Sequence, residues 1–326
     1  MRLKKQIAIL ALGAGFAACT PQPATNLIED NMEFAQQQLR FAFDEIDYAI
    51  VNESPESRAK REKNGWGELT NPRNSEPDGT LNLVPSKDWT SGFFPGELWF
   101  LYEYTQNNFW KKKAQQHTDI LEKEKMNGST HDMGFKVYCS FGNGYRLTQD
   151  EHYKEVLLQS ARTLATRFKP AAGIIRSWDH STAKWVCPVI IDNMMNLELL
   201  FWATKESKDS TFYRIAVDHA KTTMKHHFRP DFSSYHVIDY DTITGQVLKK
   251  NTHQGFADES AWSRGQAWAL YGYTMCYRET GISMHLAYPT SHVMFQRLRS
   301  SLRHFMNLAC MILKRESATG AMRIKL

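Results

Sequence analysis

The sequence predicts an all-α protein built as an array of helical hairpins. Apolar residues recur at helical spacing along most of the chain, hairpin boundaries recur at related positions, and only one short β-hairpin signal interrupts them. Helices are predicted over residues 26–50, 95–105, 109–124, 132–147, 150–168, 192–205, 211–228 and 259–278. The first sets Leu27, Ile28, Ala35, Leu39, Ala42 and Ile46 near one stripe, and the fifth does so with Val156, Leu157, Ala161, Leu164 and Phe168. A β-hairpin is predicted between 235–240 and 246–250, where alternating Val237 and Asp239 precede the turn-rich segment Asp241 to Gly245.

The hairpin boundaries form an internal repeat. Tyr104-Thr105 before Phe109-Trp110, Leu147-Thr148 before His152-Tyr153, and Thr204 before Phe212-Tyr213 each close one helix and open the next. Counting 21 residues back from Trp110, Tyr153 and Tyr213 reaches Trp89, Asp132 and Asp192, each at or just before the start of the preceding helix. In such an array, an open solenoid or a closed ring, the first helices of successive pairs run parallel and their N-terminal ends share a rim. Trp89, Asp132 and Asp192 would then face one cleft. Similar helix lengths alone are the competing explanation.

The 326 residues are 42% hydrophobic and 23% charged, enough apolar material for a sizeable core, and 18 Gly with 11 Pro argue against collagen-like or disordered character. The net charge of +5 is unevenly spread. Residues 282–326 hold seven Lys/Arg and one acid, and Arg2, Lys4 and Lys5 sit at the other end, so the body between is mildly acidic. Nucleic acid is therefore not expected as a partner. After the three basic residues comes a 12-residue apolar run, Ile7 to Ala18, too short to span a bilayer. It ends in Phe16-Ala17-Ala18-Cys19, which resembles a lipobox. Residues 1–18 are expected to be a lipoprotein signal peptide and Cys19 the lipidated residue of an exported bacterial lipoprotein, membrane-anchored through its lipid and periplasmic. The other cysteines, Cys139, Cys187, Cys276 and Cys310, form no CxxC and read as buried thiols.

Asp132 and Asp192 are the carboxylates that stand out, because each sits where an apolar helix begins. N-capping is the competing role, although the apolar Val189-Ile190-Ile191 before Asp192 speaks against a water-facing cap. Two acids in one cleft would shift each other's titration and let one act as general acid. Around them the chain supplies Trp89, Trp178, Trp185, His236, His253, Gln254, Trp262, Arg264 and Trp268. Trp262 and Gln266 lie one helical turn apart, as do Arg264 and Trp268; a guanidinium beside indoles suits a sugar acid. No HExxH, CxxC, GxGxxG, GxxxxGK[ST] or GxSxG is present. Asp239, Asp241 and Gly245 match a calcium loop too poorly for a metal site, and His226-His227 is expected to be solvated.

Five motifs in order, Asp88-Trp89-Thr90-Ser91-Gly92-Phe93-Phe94-Pro95-Gly96, His131-Asp132-Met133-Gly134-Phe135, Asp192-Asn193-Met194-Met195-Asn196, His253-Gln254-Gly255 and Trp262-Ser263-Arg264-Gly265-Gln266-Ala267-Trp268, resemble the unsaturated glucuronyl hydrolases of glycoside hydrolase family 88. The resemblance runs from Ser86 to Gly281, with the unsaturated rhamnogalacturonyl hydrolases as nearest competitor. It implies an (α/α)6 toroid, residues 19–281, and no metal or organic cofactor. It implies hydration of the C4=C5 double bond of a 4,5-unsaturated glucuronic acid at the non-reducing end of a lyase-generated oligosaccharide, glycosaminoglycan disaccharides being the favoured class. Asp192 would be the general acid/base and Asp132 its partner; Trp89, Trp262 and Trp268 would line the ring site, and His131, His236, His253, Gln254 and Arg264 would bind hydroxyls and the carboxylate. Residues 282–326 break the helical pattern. They are expected to be an atypical, frameshifted or misassembled tail that leaves the toroid incomplete, with a truncated, inactive saccharide-binding lipoprotein as the alternative outcome.

Overall fold

A computed structural model describes residues 24–282, so the signal peptide, Cys19, Cys310 and residues 283–326 of the tail lie outside the described residues. The chain divides into two compact units, residues 1–41 and 42–326. The described part of the first is the opening of helix α1 (Ala24–Val51), on which Leu27 and Ile28 are exposed rather than part of a buried stripe.

In the second unit the later turns of α1 bury Ala42, Phe43 and Ile46. Phe43 stacks on His117 with centroids 5.8 Å apart and meets Phe94 edge-on at 5.9 Å. Next come helix α2 (Pro55–Lys63) and an antiparallel hairpin of β1 (Leu69–Ser75) and β2 (Leu81–Pro85), none of them predicted. α2 has no apolar stripe; it is set by proline in its first turn and by Ser54 Oγ accepting from Ser57 N at 3.1 Å. Pro72 and irregular pairing hide β1 from a period-two reading.

Three helical hairpins follow. The first pairs α3 (Phe93–Thr105) with α4 (Asn108–Asp119), and a 3₁₀ turn, Glu122–Met126, carries on from it. The second opens as a π-helix, Gly134–Gly142, continues as α5 (Asn143–Thr148) and returns along α6 (Glu151–Ala165). Short β3 (Phe168–Lys169), β4 (Ile174–Ile175) and β5 (Pro188–Ile190) lead to the third, which opens as a 3₁₀ turn, Ile191–Asn196, then runs through α7 (Leu197–Ser207) and α8 (Ser210–His227). The predicted β-hairpin is present as β6 (Val237–Tyr240) and β7 (Val247–Asn251), with β5 as a third antiparallel strand. Helix α9 (Ser263–Thr280) closes the described chain, starting later than predicted because Ala257–Ser260 forms a turn of its own.

All three hairpin turns use one device. Thr105, Thr148 and Ser207 each donate a hydroxyl to the carbonyl four residues back at 2.7 Å and accept from the N–H two residues on at 3.2, 3.3 and 3.2 Å. The residue between, Gln106, Gln149 or Lys208, takes the left-handed conformation that ends a helix. Asn107, Asp150 and Asp209 then cap the next helix by accepting from its first turn at 2.9, 2.9 and 2.8 Å. α9 ends in the same way, with Thr280 before a left-handed Gly281.

Several sequence expectations are corrected. The helix predicted over 132–147 starts as a π-helix, and that over 192–205 starts as a 3₁₀ turn; both starts are set by neighbours across the fold, since a Cβ at Gly134 would lie 2.6 Å from the Asn196 Cα. His227 is fully buried rather than solvated, because it shares the inner face of α8 with His219 and Thr223, and its Nε2 reaches the Val189 carbonyl at 3.1 Å. Asp239 is buried and accepts from Val186 N and Cys187 N, while Asp241 accepts from Ile243 N and Thr244 N, so both carboxylates are used up in holding turns. Cys187 and Cys276 are buried as expected and Cys139 partly so.

Gly92 fixes how α3 meets the π-helix: a Cβ there would sit 2.2 Å from the Lys136 carbonyl oxygen and 2.3 Å from that of Phe135. Gly92→Ala is therefore expected to cost about 3 kcal/mol through overpacking. Gly128→Ala, where the nearest atom would be 3.9 Å away, should leave the melting temperature unchanged. Thermal unfolding of the two variants against the parent makes the comparison.

Candidate active site

Asp132 lies in the turn that enters the π-helix, and that turn is pinned to the strand region opposite. Thr130 bridges to Trp178, and His131 N donates to the Ser177 carbonyl at 3.1 Å. The Thr130 hydroxyl donates to Asp132 Oδ2 at 2.5 Å, and His131 Nε2 lies 3.1 Å from Oδ1. Burial opposes ionisation of Asp132, but the neighbouring His131, the Thr130 hydroxyl and Lys136 outweigh it and hold the carboxyl below its usual value near 3.8. Lys136 is fully buried and reaches Glu124 Oε2 at 3.1 Å; Glu124 also accepts from Ser86 Oγ and Asn127 Nδ2, both at 2.7 Å.

Asp192 enters from the other side. β5 pairs with β6, Ile191 N donates to the His236 carbonyl at 3.1 Å, and the chain tightens at once into the 3₁₀ turn that carries Asp192. Its Oδ2 is buried without a hydrogen-bond partner, 3.6 Å from His236 Nε2, which is also unpartnered. His236 Nδ1 accepts from the backbone N–H groups of His253 and Gln254 at 3.1 and 3.2 Å, so a neutral His236 carries its hydrogen on Nε2, facing Asp192. Neither Asp132 nor Asp192 caps a helix. At Asp132 burial is the largest influence, and His131, Thr130 and Lys136 together offset it.

The aromatic residues join these points. Phe135 lies between Trp89 and Trp268 with centroids 5.4 Å from each. The Arg264 guanidinium lies 4.4 Å from the Trp262 ring and 5.6 Å from that of Trp89. The His236 ring meets Trp262 at 4.6 Å, and His253 packs on Trp178 and Trp185 at 5.4 and 5.6 Å. Trp89, Arg264, Trp262, His236 and Asp192 thus form one continuous series. Trp178 and Trp185 are core, clustered with Ile190 and Val237. Gln254 places its backbone on His236 while its side chain is exposed, and Gln266 is scaffold, bonded to Ser234 N and the Phe232 carbonyl. Among the described residues no cluster of His, Cys, Asp or Glu is arranged to hold a metal, and no helix is long and apolar enough to cross a membrane.

Sequence reasoning missed Thr130, Ser177, Asn193, Asn196, Lys136, Glu124 and His219, which support the site from behind. Asn193 and Asn196 stand inside a quoted motif and could have been found there; Glu124 and His219 carry no local signal.

The helical hairpins bring together two aspartates, an arginine and several indoles at the starts of their first helices. The model of Glycosyl Hydrolase Family 88 matches residues 56–312, and the chain belongs to that family. It is 58% identical over 208 residues to an unsaturated glucuronyl hydrolase of Formosa agariphila, covering 64% of this chain and 52% of the relative. It is 34% identical over 206 residues to an unsaturated chondroitin disaccharide hydrolase of Streptococcus pneumoniae, covering 62% and 52%. A crystal structure of an unsaturated glucuronyl hydrolase specific for heparin superposes with a TM-score of 0.65 at 45% identity, covering 77% of this chain and 63% of that one. The hairpins belong to the (α/α)6 barrel fold of these relatives. The chain spans about half the length of the curated relatives it matches.

His219 is pushed by burial down to about 3, with nearby His131 acting in the same direction. It is neutral in the fold, whereas the unfolded chain takes up the proton near 6.5. Its contribution to stability is therefore full above pH 6.5 and is lost as pH falls toward 3. Urea unfolding at pH 7, 6, 5 and 4 should show the parent losing stability faster than His219→Gln, by up to about 1.4 kcal/mol per pH unit.

Proposed function

We propose that this protein removes 4,5-unsaturated glucuronic acid from the non-reducing end of lyase-generated oligosaccharides, with glycosaminoglycan disaccharides as the substrate class. The observation that carries the proposal is the contrast between the two aspartates. Asp132 is tied into hydrogen bonds that keep it anionic, while Asp192 and His236 hold buried polar atoms with no partner in the protein. A ligand that supplies polar atoms to Asp192 and a carboxylate to Arg264, with a ring against Trp89 or Trp262, fits that arrangement. Two relatives support an oligosaccharide that begins with dGlcA, one solved with the tetrasaccharide dGlcA-Glc-Rha-Glc and another with dGlcA-GalNAc6S, and the second of these is in line with the disaccharide class. Two solved Streptococcus agalactiae variants each change an aspartate to asparagine, at positions separated by the same interval as Asp132 and Asp192.

In the reaction, Asp192 delivers a proton to C4, and the C4=C5 π electrons form the new C–H bond. Positive charge then develops at C5 and the ring oxygen, where the Asp132 carboxylate offsets it. Water adds to C5 as Asp192 takes up one of its protons, which restores the acid. The resulting hemiketal opens and releases a keto-sugar acid and the remaining saccharide. The ultraviolet absorbance of the double bond reports each turnover. Asp192→Asn should lower kcat by about 10²- to 10⁴-fold with KM changed little. Appreciable residual hydration would remove Asp192 from its role, and binding without turnover by the parent chain would favour a saccharide-binding protein.

The same proposal places the protein outside the cytoplasm, tethered by lipid on Cys19. Metabolic labelling with a fatty-acid analogue should mark the parent and not Cys19→Ala.

A further inference from the structure

Two buried imidazoles behind Asp132 hold complementary unpartnered atoms. His219 accepts from Ile175 N at its Nδ1, 3.0 Å away, so its hydrogen is on Nε2, and Nε2 is buried without a partner. His131 faces the Asp132 carboxylate with Nε2, so in the neutral ring that nitrogen carries the hydrogen and Nδ1 is a bare acceptor; Nδ1 is also buried and unpartnered. One strip of backbone anchors both, because Ile175 N donates to His219 and the Ser177 carbonyl accepts from His131 N.

Two asparagines complete the set. Asn193 Nδ2 donates to the Ile175 carbonyl at 2.8 Å, leaving Oδ1 as an unpartnered acceptor. Asn196 Oδ1 accepts from Phe135 N at 3.1 Å, leaving Nδ2 as an unpartnered donor. They are three apart in a 3₁₀ turn, where such residues eclipse one another. Two donors and two acceptors are the hydrogen-bond complement of one water.

We propose that His219 is a positioning residue of the active site: its Nε2–H, across one buried water held also by Asn193 and Asn196, occupies His131 Nδ1 and so fixes His131 in the tautomer that donates to Asp132. Without that arrangement a neutral His131 could place its hydrogen on Nδ1 and turn a lone pair toward the Asp132 carboxylate. Supporting groups of this kind govern the orientation and basicity of the side chains they hold. The inference rests on the role of Asp132 proposed above.

Three variants test it. His219→Gln can keep both an acceptor for Ile175 N and a donor beyond it, His219→Asn keeps only the first, and His219→Phe keeps neither. In folded protein, Phe and Asn should lower kcat about 10- to 100-fold with KM within twofold, while Gln stays within about threefold of the parent. Nitrogen-15 spectra of the imidazoles should show His131 protonated on Nε2 in the parent and Gln variants and mixed between tautomers in Asn. If Asn keeps the parent kcat, or leaves the His131 tautomer unchanged, the proposal is overturned. Should the parent not turn over the unsaturated disaccharide at all, the proposed function fails, and the tautomer measurement still decides whether His219 positions His131.

Discussion

The arrangement depends on one local constraint, the tight turn that closes each hairpin. A hydroxyl residue ends the helix, a left-handed residue reverses the chain, and Asn or Asp caps the return helix, so groups a helix end leaves open are met within five residues. With Thr105, Thr148 and Ser207 all making this turn, successive first helices run the same way. Their starts are therefore neighbours, which is why Phe135 can touch Trp89 and donate its own N–H to the Asn196 side-chain oxygen. The turn sits at the opposite end of each hairpin from the chemistry, and it determines which residues can meet there.

The helix starts depart from regularity where the two aspartates lie. The first is an ordinary α-helix, the second a π-helix and the third a 3₁₀ turn, so the three present Trp89, Asp132 and Asp192 from differently wound backbone. These irregular starts escaped a reading based on period, because their winding answers to contacts between elements. Gly134 has room for no side chain beside Asn196, and Ile190 is claimed by a sheet whose partner strand is some fifty residues later. The turns and the 21-residue spacing were legible because they are local chemistry. The burial of His227 was not, since its partner is the distant Val189 carbonyl.

The site residues divide along the same line. Those in contiguous motifs, Trp89, Asp132, Asp192, Trp262, Arg264 and Trp268, could be named from the sequence. The groups that give them their state could not, because each arrives from another element: Ser177 beneath His131, Glu124 beneath Lys136, and the His253 and Gln254 backbone on His236. A buried lysine is tolerated only with a partner, and Lys136 has one in a carboxylate that is itself fully bonded. That closed network lets a cation sit near Asp132 without exposing it to water.

The consequence is an unequal pair of acids. The Asp132 carboxylate takes contacts from Thr130 and His131 within the protein, so its charge is a property of the fold and is in place before any ligand arrives. Asp192 is buried yet unbonded at Oδ2, with a histidine donor just out of reach, so its hydrogen bonds can be completed only by what enters the cleft. The alkene hydration proposed above would draw on this asymmetry. One carboxylate must hold constant charge beside a developing cation, while the other must give up a proton and take one back, which a carboxylate locked into structural hydrogen bonds does poorly.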